Sequence, residues 1–556
     1  MKRKIVYSLL CMWYLLSANT TFAYTHADTL RGSNGRGRDW WNVQHYDLYV
    51  KFDTLAQSIH GVSSISFSVT KMPADSMQID LQDPMVIDSA VLAESTMDNA
   101  TTSKNTLLKC VKEGNVWWLL HDFHHLNTGN NSQVIIYYHG APRKAVNAPW
   151  DGGFTWTKDS TGKQWIAVSC QGLGASVWWP CKDAQWDEPN HGMDISLEVP
   201  GNYNAVSNGR LIDSAKSYNN DYKTWHWQVK NPINNYDATF YIGDYVHWHD
   251  TLMGEKGLLD LDFWVLRYNE ARARKQFAVV KQMIHCYEYW LGPYPFYEDG
   301  YKLVDAPYLG MEHQSAIAYG NKYKMGYLGF DRTGTLYGLN FDYIIIHESG
   351  HEWFGNNITS NDLADMWVHE GLTTYSESLF TECLLGHEKG MKYCRGEWRN
   401  IQNDKPIIAQ YGVNEEGSED MYDKGAAIMY MIRVMTNDDE KFRTMLRGLT
   451  RDFYHQTVST RQIEDYIALH TGLDLGAYFN QYLRTAQIPQ LQYYLKGRTL
   501  YFKFNKTVPG FTLPISITSG SKTATLHPDA EWQRIRWNKS AITLSNDFLI
   551  TTKKGK

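Results

Sequence analysis

His347-Glu348-Ser349-Gly350-His351 sets two imidazoles four positions apart with a carboxylate between them. A helix turns about 100° per residue, so side chains four apart leave one face roughly a turn apart. Two imidazoles so placed can hold one metal ion. Glu348 reaches a water on that metal without being placed as a ligand itself. A third ligand is needed. Glu370 follows nineteen positions after His351, inside Trp367-Val368-His369-Glu370-Gly371. Two neutral imidazoles and one carboxylate make a tetrahedral zinc site with one position open to water. Zinc lowers the pKa of that water to roughly 7, so Glu348 can accept its proton and later pass it to a leaving amine. Two bland alternatives exist: a packed helix with core histidines, and a closed structural zinc site. Structural sites are usually rich in cysteine and carry no spare glutamate between the ligands. The expected chemistry is hydrolysis assisted by one zinc ion per chain.

The elements that must position these groups surround them. The apolar run Tyr343-Ile344-Ile345-Ile346 buries one side of a helix predicted over 341–354 and closed by Gly355. A second helix is predicted over 362–385, capped by Asn361 or Asp362 and stopped by Gly386. The short polar connection over 356–362 lets it fold back on the first. Helices are also predicted over 269–291, ending at Gly292, and over 422–435, with helical texture to about Arg484. Upstream the period is two. Tyr46, Leu48, Val50 and Phe52 alternate, as do Ile65, Phe67 and Val69 against Ser64, Ser66 and Ser68. Such alternation marks strands with one buried face. Further strands are expected over 134–138 and 195–199. The tail returns to alternation at Leu500, Phe502 and Phe504, then Leu513, Ile515 and Ile517, around a Pro509-Gly510 turn. The organisation expected is multidomain α+β. A β-rich domain spans 41–246, a mainly helical catalytic domain 247–486, and a small β-sandwich 487–556.

A chain of 556 residues exceeds what one core usually organises. Its formal net charge of −6 is spread along the chain, which argues against a nucleic-acid partner. Lys2, Arg3 and Lys4 precede an apolar run over about 5–16, and small and polar residues follow to Ala23. This reads as a cleavable secretory signal over 1–23, so the chain is expected to be exported, periplasmic or extracellular. Cys11 lies within an apolar run that continues past it and does not read as a lipid attachment site. No later segment is long and apolar enough to span a bilayer. Residues 24–40 are rich in Gly, Arg and Ser and read as a flexible leader. The six remaining cysteines are too few and too dispersed for a disulfide scaffold. Cys170 and Cys181 are the first pair to test for a bridge. The sequence carries no signal for an oligomeric state.

Further motifs flank the zinc constellation. Trp353-Phe354-Gly355-Asn356 follows the first helix motif. Gly310-Met311-Glu312-His313-Gln314 lies upstream and Tyr422-Asp423-Lys424-Gly425 downstream. In spacing and order the set resembles the gluzincin aminopeptidases, the family that includes membrane alanyl aminopeptidase, aminopeptidase B and leukotriene hydrolase. The likeness covers most of the mature chain, to about Pro489. It implies a saddle-shaped N-terminal β domain and a thermolysin-like catalytic domain. It implies His347, His351 and Glu370 as zinc ligands and Glu348 as general base. Glu312 matches the glutamate that binds the α-amino group of a peptide, within the Gly310-Met311 substrate segment. A carboxylate suits an ammonium through charge-assisted hydrogen bonds. An anchored amine also leaves only the first peptide bond at the metal. Tyr422 matches the tyrosine that donates to the developing oxyanion. Gln171 matches a Gln or Glu that contacts the substrate N-terminus. Read alone, Tyr422 is a core tyrosine and Gln171 an ordinary polar residue beside a strand. The partners implied are peptides with a free N-terminus.

This sequence departs from the family pattern at two residues. His313 stands where many members have Asn, a position that helps orient the substrate backbone, and His369 precedes Glu370 where Asn is common. Many relatives also carry a large helical domain beyond the β-sandwich, so a more open cleft is expected here. Three rivals stand beside the aminopeptidase. An endopeptidase would leave Glu312 without a cation to pair with. An epoxide hydrolase belongs to one branch of the family. A binding protein would keep the fold and lose a catalytic residue, yet each such residue is present.

Overall fold

The computed structural model describes residues 24–95, 103–129, 131–217, 221–537 and 541–555. The signal expected over 1–23 lies outside them. Alternation builds the N-terminal part. Tyr46, Leu48, Val50 and Phe52 are fully buried along the strand Trp41–Asp53. Ile65, Phe67 and Val69 are buried along Ser58–Val69, with the intervening serines half-buried. The two strands pair antiparallel and lie inside a ten-stranded sheet. Met193–Pro200 joins Trp41–Asp53 in parallel, and Asn131–Gly140 pairs antiparallel with Ser58–Val69. A four-stranded sheet contains Phe240–Gly243 and Gly153–Lys158. Its Phe154 and Phe240 join the same core, where the rings of Phe52 and Phe240 lie 4.7 Å apart.

Tyr245–Gly254 and Gly257–Leu266 open a different, five-stranded sheet. It continues through Tyr301–Asp305 and Ile317–Tyr319 and ends on Gly310–Met311, its edge strand. Helices pack against this sheet. The helix predicted over 269–291 is two, Glu270–Gln276 and Val279–Leu291, and Gly292 ends the second with φ of 99°. The two site-bearing helices are Tyr343–Gly350 and Trp367–Leu385, the latter ended by Gly386 with φ of 97°. The tail forms a four-stranded and a three-stranded sheet. Leu500, Phe502, Phe504, Leu513, Ile515 and Ile517 are buried there in a core continuous with that of the helical part.

Two expectations are corrected. The flexible leader is structured. His26–Gly32 is a helix whose Thr25 and Asp28 form a capping box. Arg38 is completely buried and ion-paired with Asp80, and Arg31 lies 3.6 Å from Asp183. A buried carboxylate needs such a partner, and this need ties the segment down against its polar composition. The bridge is also not where it was sought. Cys170 and Cys181 are buried free thiols, while Cys286 is bonded to Cys383. The backbone of Cys181 pairs with Asp80, whereas Cys170 follows a strand of the smaller sheet. The bridge joins Val279–Leu291 to Trp367–Leu385, two helices far apart in sequence and packed together.

Candidate active site

Asp342 starts the first site helix by accepting the Ile344 N–H at 3.2 Å. The isoleucines after it are buried, so the helix is held by its apolar side. After His351 the chain makes a wide turn over Glu352–Asn356, with Gly355 at φ of 121°. Glycine adopts that conformation without cost. The turn brings the Phe354 carbonyl onto His351 Nδ1 at 3.0 Å. Asp362 caps a short turn, Leu363–Asp365, which leads into the second helix. Glu370 sits in that helix's first turn, where the dipole favours a carboxylate. Gly371 then meets Gly425 of the helix Asp423–Thr436. A Cβ on either glycine would lie 2.6–2.8 Å from the other's backbone. This close crossing brings Tyr422 beside the zinc helix, its ring 6.1 Å from that of His347.

The three candidate ligand atoms converge. His347 Nε2 and His351 Nε2 are 3.3 Å apart, and Glu370 Oε2 lies 3.7 Å and 3.3 Å from them. Zinc bonds of roughly 2.0–2.1 Å in a tetrahedron require ligand atoms about 3.3 Å apart. Glu370 Oε2 is buried and, among the described residues, has no hydrogen-bond partner, which fits an atom kept for a metal. The far ring nitrogens are engaged. His347 Nδ1 meets Glu377 Oε1 at 2.8 Å, and His351 Nδ1 meets the Phe354 carbonyl. A proton held at Nδ1 leaves the Nε2 lone pair for the ion.

All nine residues expected at the site line one cleft of about 780 Å³. Glu348 is buried beside Gly310; a Cβ there would lie 2.5 Å from its carboxylate. Burial raises the Glu348 pKa to about 7; His347 and His351 pull it down while Glu312 and Glu370 push it up. Burial also raises Glu312, against the pull of His351 and with a further push from Glu370. Gln171 donates to Glu370 Oε1 at 2.8 Å, which leaves its own carbonyl oxygen to accept from an amine. Burial works against positive charge at His347, yet the Glu370 and Glu377 carboxylates favour it, as they would favour a cation bound there. The cleft demands positive charge. Glu415, Glu416, Glu419 and Asp420 line it as well, and its single guanidinium, Arg332, is paired with Asp423 at 3.2 Å.

Some partners escaped the sequence. Glu377 follows Glu370 by seven positions, two helical turns, and that spacing was the available signal. Tyr236 donates to Glu312 Oε1 at 3.2 Å from the N-terminal domain, with no local signal at all. His313 does not line the cleft. It is buried, with Nδ1 2.7 Å from the Tyr241 hydroxyl, so its ring does not orient a substrate backbone in the cleft. His369 accepts the Ser360 N–H at 2.8 Å through Nε2 and stacks on Tyr236.

The chain is similar in sequence and fold to known proteins. The model of the peptidase M1 N-terminal domain matches residues 42–236, and that of the peptidase family M1 domain matches 276–482. Leukotriene A-4 hydrolase of Xenopus laevis is 22% identical over 77% of this chain and 68% of its own length. Aminopeptidase B of Rattus norvegicus is 23% identical over 59% of this chain and 50% of its own. Glutamyl aminopeptidase of the same species is 21% identical over 56% of this chain, which covers 33% of it. The crystal structure of an M1 zinc metallopeptidase from Deinococcus radiodurans superposes with a TM-score of 0.66 at 18% identity, over 82% of this chain and 96% of that one. That likeness establishes the fold. Two models of one family together match more than half of the sequence, the zinc constellation falls inside the second, and the chain is therefore a member of peptidase family M1, a zinc peptidase.

Proposed function

We propose that this protein is an exported zinc aminopeptidase that removes single residues from the N-termini of peptides. One observation carries the reading. A buried carboxylate, Glu312, closes the cleft beside the zinc ligands, with the Gln171 amide next to Glu370. The α-ammonium of a peptide supplies the cation that such a carboxylate needs. Glu312 then acts as a ruler, and only the first peptide bond comes level with Glu348.

His347, His351 and Glu370 would hold the zinc, which supplies the Lewis acidity for the water and the scissile carbonyl. Glu348 accepts the proton of the attacking water and returns it to the leaving amine. Burial raises the Tyr422 pKa well above the usual phenol range, so the hydroxyl stays protonated and able to donate to the oxyanion. The edge strand Gly310–Met311 has one unpaired side on which a peptide backbone can lie. The Cys286–Cys383 bridge supports an oxidising compartment, in line with the N-terminal signal pattern.

Chelation followed by zinc restoration tests the assignment. Hydrolysis of leucyl and alanyl amides is expected to vanish on chelation and to return with one zinc per chain. Full activity after the metal is removed would rule out the zinc mechanism.

A further inference from the structure

A second cavity, of about 540 Å³, adjoins the catalytic cleft, and Trp150 and Leu309 line both. The edge strand says which end of a substrate reaches it. Glu312 holds the amine, Gly310 faces the proton-transferring Glu348, and Leu309 comes next. A backbone laid along this strand passes from amine to scissile bond to Leu309. The second cavity therefore lies on the leaving-group side. Resting on the aminopeptidase reading, we propose that this cavity binds the residue after the scissile bond, prefers an aromatic side chain there, and draws in the C-terminal carboxylate of short peptides.

The walls are built for a flat apolar group. Trp165, Tyr308, Tyr319 and Tyr323 line it, and each is tied back through its polar atom. Trp165 donates to the Tyr245 hydroxyl at 2.9 Å, Tyr308 to the Val168 carbonyl at 2.8 Å and Tyr319 to Asp342 at 2.7 Å; Tyr323 donates to Asp305. Rings fixed this way lose little entropy on binding. Tyr268 and Trp150 are more exposed, and Trp150, 63% exposed, stands at the junction with the cleft. An indole left in water at that point is positioned to cover a bound ring.

The charge in this cavity is opposite to that of the cleft. Its one carboxylate, Asp305, is buried and accepts from the Leu266 N–H, Asn269 and Tyr323. Lys322 and Arg272 are exposed at the rim. Among the described residues neither forms an ion pair, and Arg272 lies 5.3 Å over the Tyr323 ring. An acidic end for the amine and a basic end for the carboxylate orient a short zwitterionic peptide in one direction.

The test compares kcat/KM for Ala-Gly, Ala-Phe and Ala-Phe-amide, with alanine amide as a substrate whose leaving group does not reach the cavity. Wild-type protein is expected to prefer Ala-Phe over Ala-Gly by about tenfold or more, and over Ala-Phe-amide severalfold. Trp150→Ala should bring the first ratio close to 1, and Trp150→Phe should keep it. Lys322→Ala combined with Arg272→Ala should abolish the second ratio and keep the first. These side chains are exposed, so the variants fold. Turnover of alanine amide without preference among the dipeptides, or ratios unchanged in the variants, would overturn the subsite alone. No turnover of any substrate would overturn the aminopeptidase reading along with it.

Discussion

Glu348 and Tyr422 share one cleft, and the proposed mechanism gives them different work, so their substitutions should separate. Glu348→Gln removes the proton acceptor and is expected to lower kcat roughly 10²–10⁴-fold with zinc still bound near one per chain. Tyr422→Phe removes one donor to the oxyanion and should cost about 10²–10³-fold in kcat with KM little changed. Steady-state kinetics with metal analysis checks both; loss of zinc from Glu348→Gln would make it a ligand rather than a base. Glu188 offers a pH test outside the zinc centre. It is buried, with one oxygen unpartnered among the described residues, and burial raises its pKa from 4.5 to about 7 against hydrogen bonds from Thr359 and Asn234. Between those two values the folded chain binds more protons than the unfolded one. The contribution is complete below about pH 4.5 and is lost as pH rises through about 7. Glu188→Gln should therefore gain on wild type by up to about 3 kcal/mol between pH 5 and pH 8, measured by urea unfolding. An equal difference at both pH values would contradict the placement. At this scale the grouping of His347, Glu348 and His351 was legible because helical spacing fixes it locally. Tyr236 was not, because only the tertiary fold brings it to Glu312.

Among the elements, the crossing of Trp367–Leu385 with Asp423–Thr436 sets the distance between Tyr422 and the zinc ligands. Gly425→Ala forces the two backbones apart at a contact of 2.6 Å. It is expected to lower kcat about tenfold or more and to destabilise by roughly 1–3 kcal/mol. Kinetics and thermal unfolding measure this, and unchanged activity would mean the crossing does not position Tyr422. Element ends marked by glycine were readable, as at Gly292 and Gly386, because positive φ there selects glycine. Strands with alternating faces were readable for the same local reason. The break between Glu270–Gln276 and Val279–Leu291 was not. No glycine or proline marks it, and Phe277 turns inward to pack on Phe263 and Tyr319.

Across the whole molecule, long-range contacts override composition. The segment over 24–40 has the composition of a loose leader, yet Arg38 is buried on Asp80. Arg38→Ala would strand that carboxylate and is expected to destabilise the protein by about 3–5 kcal/mol. A thermal midpoint equal to wild type would show that the segment is not held by this pair. The Cys286–Cys383 bridge was likewise illegible, since sequence separation gives no sign of which helices touch. In the proposed reading the whole cleft selects a cation with carboxylates and cuts one bond beyond it. The most direct test of that reading measures hydrolysis of matched aminoacyl amides with the α-amine free or acetylated. Cleavage of the free-amine forms only is expected; cleavage of the acetylated forms at comparable rates would rule out the aminopeptidase reading.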